Sequence, residues 1–278
     1  MEPRSWQDPP EYSGGGGGMQ FAVPRVTPAV KMLLIANVAL FVLTDLMLPM
    51  SGRLFVDRWL ALAPGTWKDF FPFVPVWQLG TYGFLHAGFM HILGNGLFLY
   101  FLGTMLEGAI GTRRFLTLYL ASVVGAGFMQ LMFGLAMGSN APIVGASGGV
   151  LAIVCAMAAL QPMTRIIFLL FPITLRTLAI IYVLMDVYNL AHQFRSGGSN
   201  VASFAHLTGA AIGYFAVKTG VIWRDPVATV ARAREARAAE SDADARMKLD
   251  ELLAKINREG IGSLSSREKA FLKKMSKR

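Results

Sequence analysis

The sequence predicts an all-α membrane protein, a six-transmembrane-helix bundle, and three observations predict it. The 278-residue chain is 54% hydrophobic and only 15% charged, whereas soluble domains carry about 25% charged residues. Six apolar stretches follow one another, near Pro28–Leu48, Gly83–Leu106, Phe115–Met137, Ser147–Gln161, Thr177–Leu190 and Val201–Ile222. The basic residues are sorted between alternate connections, which is the signature of a fixed membrane orientation.

The first 27 residues are polar, with a glycine run at Gly14–Gly18. They read as a disordered cytoplasmic start without a signal peptide. The first span follows, near Pro28–Leu48. A spanning helix needs about 20 apolar residues; four of the six stretches meet this. The fourth and fifth are short and must borrow flanking residues or end below the surface.

Pairs Arg113/Arg114 and Arg165/Arg176 lie in the second-to-third and fourth-to-fifth connections. With the two termini, that side holds 22 of the 26 Lys and Arg. Cytoplasmic loops carry this excess, so both termini are expected in the cytoplasm. The net charge of +9 then reads as topology and attraction to anionic lipid, not nucleic-acid binding. The single Cys155 excludes an internal disulfide and reads as packing.

The connection after the first span, Pro49–Tyr82, contains Trp67, Phe70, Phe71, Phe73 and Trp77. It is too apolar for a solvated loop. It reads as embedded at the membrane interface, where aromatic rings sit well; the alternative is an external cap with its own small core.

The second span carries His91 and Asn95, four residues apart and so on one helix face. The sixth carries His206 three residues before Gly209, in a small-xxx-small pattern with Gly213 that permits close helix approach. The fourth begins at Gly145-Ala146-Ser147-Gly148-Gly149 and is interrupted at Pro162. Fifteen residues at about 1.5 Å each reach roughly 22 Å, less than the ~30 Å hydrocarbon core. Ser147 is therefore expected below the outer surface. Residues 138–146 must descend to it as irregular backbone, which is tolerated at depth where protein buries it or water reaches it.

Each of these residues has two readings. Ser147 caps the fourth helix or is a nucleophile at the positive end of its dipole. The nucleophile elbow of an α/β-hydrolase is excluded, because no strand precedes it. His206 makes an interhelical hydrogen bond, or is the base that takes the Ser147 proton. His91 and Asn95 glue helices together, or donate to an oxyanion with the Ser147 backbone N–H. Asp45, Glu107 and Asp186 are the carboxylates near the spans. Glu107 falls on the cytoplasmic side, and Asp186 in the fifth span could orient a neighbour. A Ser–His dyad is favoured over a triad. Four scattered His and one Cys make no metal cluster, and no cofactor is expected. No internal repeat of the transporter kind is visible.

Together, Gly145-Ala146-Ser147-Gly148, His91-x-x-x-Asn95 and Ala205-His206-x-x-Gly209-x-x-x-Gly213 resemble the rhomboid intramembrane serine proteases over residues 28–222. The resemblance implies Ser147 as nucleophile, His206 as general base, and His91 and Asn95 with the Ser147 N–H as oxyanion hole. It implies support of the first loop or second span by His86, Trp77 and Glu107. It also implies cleavage of single-span transmembrane proteins from within the lipid bilayer, in an inner cell membrane; a catalytically inactive relative that binds membrane clients is the alternative. Two positions depart from the family pattern. The first-loop Trp-Arg pair reads Trp77-Gln78, and the site of a ring that stacks on the histidine is Leu151.

After Trp223 the composition changes to Ala, Arg and Glu. Asp225–Lys248 reads as a solvated helix, continued by an amphipathic run that stops near Gly260. Ser265 and Glu268 form a capping box before Phe271 and Leu272. The expected organisation is a disordered start over 1–27, a protease domain over 28–223, and a cytoplasmic helical hairpin over 224–278 that resembles a segment attached to some bacterial rhomboids.

Overall fold

The computed structural model describes residues 25–168, 171–196, 202–224 and 226–275. Most of the expected disordered start lies outside them. Helix α1, Pro28–Phe41, runs on in π-helical turns over Val42–Met47. Pro28 opens it, where the absent N–H is not missed. The next N–H groups lack partners within the helix. The Glu107 carboxylate accepts them, from Ala29 and Val30 at 3.0 Å each, and also accepts from the Thr112 and Thr27 hydroxyls. Glu107 thus fastens the start of α1 to the end of the second apolar segment.

The long connection folds as three short helices, α2 (Met50–Trp59), α3 (Pro64–Asp69) and α4 (Gln78–Thr81). Val56, Ala61 and Leu85 make a small core within it, while Phe71 and Phe73 stand outside, each more than three-quarters exposed. Core and projecting rings coexist, so the two readings of this segment were not exclusive.

The second span begins later than its apolar stretch. Gly88 has φ 140, a conformation L-residues avoid, and it stops Gly83–Phe84 from joining the helix. Helix α5 is Phe89–Phe98, followed by a π segment over Leu99–Gly103 and α6, Thr104–Ile110. Helix α7, Thr112–Ala136, has 25 residues. Helix α8, Ser147–Leu160, is only 14 long, and every residue from Gly148 to Met157 is buried. A helix that is apolar all round belongs at the centre of a bundle, and α8 occupies that place.

The chain is mostly helical, as expected, with one addition between α8 and the next helix: β1 (Arg165–Phe168) and β2 (Phe171–Thr174) pair antiparallel, Ile166 opposite Ile173. Pro162 ends the helix, and the Ile- and Phe-rich run after it suits a pleated strand. Phe168 packs near Phe98 and Tyr182. Helix α9 covers Leu175–Ser196, 22 residues, so the fifth apolar stretch is lengthened at both ends by polar helical residues. Helix α10 is Ser203–Lys218.

Three of the described helical segments, Pro28–Met47, Phe89–Ile110 and Thr112–Ala136, are long and apolar enough to cross a membrane, and α8 is a shorter apolar helix. Beyond the bundle come α11, Pro226–Glu259, and α12, Ser266–Met275. Gly260, at φ 78, ends the first. The capping box forms: Ser265 N–H donates to Glu268 at 2.6 Å, and Glu268 N–H to the Ser265 hydroxyl at 3.3 Å.

Candidate active site

Ser147 is the first residue of α8, and Ala146 before it is the cap. Its hydroxyl does not turn back onto its own helix, so the capping reading is set aside. The irregular approach to it is held by protein. Leu62 and Ile143 exchange two backbone hydrogen bonds, at 3.0 and 2.9 Å, and the Gly145 N–H donates to Tyr82 O at 3.0 Å. Backbone without a helix is here satisfied by the protein around it. Gly145 has φ 137 and no room for a side chain: a Cβ there would lie 2.8 Å from His91 Nε2 and 3.5 Å from Ser147 Oγ.

The glycine face of α10 does what its spacing predicts. A Cβ on Gly209 would stand 2.0 Å from Gly148 O, and one on Gly213 the same distance from Ala152 O. Backbone meets backbone between α8 and α10, and a Cβ on Gly148 would stand 2.7 Å from the Ala126 methyl. This approach carries His206 to Ser147, with Nε2 2.7 Å from Oγ.

The other ring nitrogen finds a partner the dyad expectation did not include. His206 Nδ1 lies 2.9 Å from Asp186 Oδ1, and Asp186 is 5% exposed. A carboxylate from α9 therefore completes a line of three side chains from three helices. The signal was present in the sequence as an acidic residue within an apolar stretch, but it had no visible partner, because α9 and α10 are joined through a register that only packing sets.

Ser147, His206 and His91 line one cavity of about 460 Å³, with Gln130 and Gln193 on its wall. The volume lies within the range of ligand clefts. His91 Nδ1 faces the Ala87 N–H at 3.4 Å, which leaves Nε2 as the ring's donor, on the Ser147 side. Asn95 is not brought into this cavity. It lines a small neighbouring pocket with Ala146 and His86, and its Nδ2 is buried without a hydrogen-bond partner. His86 is buried edge-on against His91, with ring centres 5.1 Å apart. Gln130 escaped sequence reasoning; its carbonyl accepts the Ala205 N–H at 3.0 Å and so caps α10 beside His206.

Both departures from the family pattern have a structural counterpart. Gln78 is fully buried and holds the first loop without charge. It accepts from the Ala63 N–H and the Trp67 indole at 3.1 and 3.0 Å, and donates to Arg58 O at 2.8 Å. The Trp77 indole donates to Trp59 O at 2.8 Å. Leu151 offers no ring to His206, and the Asp186 contact holds the imidazole instead.

Comparison with known proteins places the chain in a family. A family model for the Rhomboid domain matches residues 75–222, and one for a family of unknown function, DUF6576, matches 236–278. The chain is 31% identical to rhomboid protease GluP of Bacillus subtilis over 140 residues, 50% of this chain and 25% of that protein. It is 30% identical to Rhomboid-related protein 1 of Caenorhabditis elegans over 145 residues, 50% of this chain and 38% of that one. Against rhomboid protease GlpG of Yersinia pestis it is 26% identical over 186 residues, 67% of this chain and 60% of that one. The chain thus spans between a quarter and three-fifths of these relatives' lengths. Its match to the domain model covers more than half of its residues, in a multi-pass bundle of apolar helices, and the chain belongs to the rhomboid family.

Proposed function

We propose that the protein is an intramembrane serine endopeptidase that hydrolyses peptide bonds of single-span transmembrane proteins. The observation that carries this is the 2.7 Å contact between His206 Nε2 and Ser147 Oγ on the wall of a cavity inside an apolar bundle. A histidine and a serine that only glued helices would not need a cavity beside them. The same reading gives six spans: α1, α5 with α6, α7, α8, α9 and α10. Both termini are cytoplasmic, in an inner cell membrane. The first loop lies at the interface through Phe71 and Phe73. The organisation is a short start over 1–27, a protease domain over 28–223 and a helical hairpin over 224–278.

The chemistry follows from the partners. An ionised carboxylate only accepts hydrogen bonds, so Asp186 fixes the proton of His206 on Nδ1. Nε2 is then free to accept the Ser147 proton as Oγ attacks the substrate carbonyl carbon. Negative charge develops on the carbonyl oxygen. The Ser147 N–H, free at the helix start, and the His91 Nε2–H face it; the Asn95 amide, unpartnered in the adjoining pocket, becomes a third donor only by turning into the cavity when substrate seats. Collapse breaks the peptide C–N bond, and His206 returns the proton to the leaving nitrogen. A water then repeats the sequence on the acyl-enzyme, giving up its proton to Nε2 and releasing the acid and Ser147. Asp186 touches no substrate; it is a positioning residue.

The test is cleavage of a labelled single-span protein in proteoliposomes. Wild type is expected to cut, and Ser147→Ala and His206→Ala to be inactive while remaining folded. A wild type that binds the substrate without cutting it would establish the inactive, client-binding relative instead.

A further inference from the structure

We propose that the groove between α9 and α10 is a binding site for one anionic phospholipid, with the phosphate held by Arg176 and Lys218 and an acyl chain lying above Cys155. This goes beyond the protease reading and does not depend on it. The groove is a cavity of about 760 Å³ whose floor is α8 and whose walls are α9 and α10. It is separate from the cavity of Ser147.

The contact of Asp186 with His206 sets the level of the two walls. Arg176 lies ten residues before Asp186 and Lys218 twelve after His206, on antiparallel helices. At about 1.5 Å per residue both cations stand roughly 15–18 Å from that contact, at the same end of the bundle. The Arg176 N–H donates to Pro162 O at 3.2 Å, just beyond the end of α8. That depth is about half of a ~30 Å hydrocarbon core, which is the length of one leaflet. The cations are exposed, and the Lys218 ammonium lies 5.6 Å from the ring centre of Tyr214 on the same wall. Neither has a carboxylate partner among the described residues.

Between the cations and the catalytic level the lining is apolar, with Ile180 and Leu184 facing Leu207 and Ala211. Alanines here leave space that larger side chains would fill. The volume selects the occupant. A helix about 10 Å across takes on the order of 1,200 Å³ over this length and would lie largely outside the groove, whereas a single acyl chain lies within it. Two cations at headgroup level and no anion beside them select a negative headgroup over a zwitterionic one, which brings its own cation.

The experiment uses the full-length protein in detergent, incubated with equimolar phosphatidylglycerol and phosphatidylcholine of the same chains and analysed by native mass spectrometry. Wild type is expected to retain one phosphatidylglycerol with a preference of about tenfold. Arg176→Gln/Lys218→Gln removes the preference. Ala211→Trp, which fills the groove and keeps both cations, removes retention of both lipids. Arg113→Gln/Arg114→Gln, on the same face outside the groove, leaves the preference intact. Melting temperature confirms folding of each variant. Wild type without preference would overturn the proposal, as would loss of preference in the Arg113/Arg114 variant. Retention that survives Ala211→Trp would reduce the site to surface charge. A dimer abolished by Ala211→Trp would make a second copy the occupant, and displacement of lipid by inorganic phosphate alone would make the site one for the free anion.

Discussion

Replacing Asp186 by Asn is the sharpest test of how this site holds its base. The change keeps shape and burial and removes one charge. In the wild-type arrangement the carboxylate stands 2.9 Å from His206 Nδ1, with side chains 6% and 20% exposed. In the proposed mechanism the imidazole becomes a cation during attack on the carbonyl, and Asp186 is its counter-charge. Two unit charges about 4 Å apart interact by about 4 kcal/mol at the effective dielectric of such sites, and only this transition-state part is lost. A loss of 4 kcal/mol is close to 10³ in rate. The amide can also donate to Nδ1, which moves the ring proton to Nε2 and aims it at Ser147. Asp186→Asn is therefore expected to lower kcat by about 10²–10⁴ with little change in KM, the pattern of an interaction made in the transition state alone. Asp186→Glu recovers part of the activity. The assay is cleavage of a fluorogenic transmembrane substrate in proteoliposomes, with serine-directed fluorophosphonate labelling of Ser147 as a second readout. A folded Asp186→Asn protein with kcat within threefold of wild type, while Ser147→Ala is inactive, would refute this reasoning and leave a bare dyad.

Other predictions concern what holds the site together. Gly213→Ala sets a methyl 2.0 Å from the Ala152 carbonyl; forced repacking of this kind costs about 1–3 kcal/mol, seen as a lower melting temperature. Gly145→Ala combines positive φ with a contact on the His91 ring, so activity should fall more than stability does. Glu107→Ala strips the start of α1 of its acceptor and should cost about 1–3 kcal/mol, which thermal unfolding measures. In the tail, hydrogen bonds from Ser265 and then Lys255 hold the Glu268 carboxyl down at about 2, below its usual 4.5. A depressed carboxyl stabilises the fold above its unfolded pKa and loses that contribution as pH falls through the folded one. Hydrogen-exchange protection of α12 should thus decline between pH 4.5 and 2 in wild type and stay flat in Glu268→Gln.

The sequence determined the elements whose cause is local or periodic. The apolar lengths marked the helices, the glycine spacing set the α10 face, and the Ser265–Glu268 pair set the cap of α12. It also singled out Ser147, His206 and His91, which the structure places around one cavity, because a serine hydroxyl and imidazoles in apolar helices gain meaning only together. Elements whose cause is a contact far along the chain were not legible. The Arg165–Thr174 hairpin appears because Phe168 has Phe98 and Tyr182 to pack against. Gln78 anchors a loop through partners eleven to twenty residues away. Asp186 became the partner of His206 only when Gly209 and Gly213 let α10 sink onto α8 and the register of α9 was fixed beside it. The residue types that can do chemistry are a property of the sequence; which carboxylate stands within hydrogen-bond reach of which ring is decided by helix packing, where a shift of one turn, about 5.4 Å, would have left His206 without it.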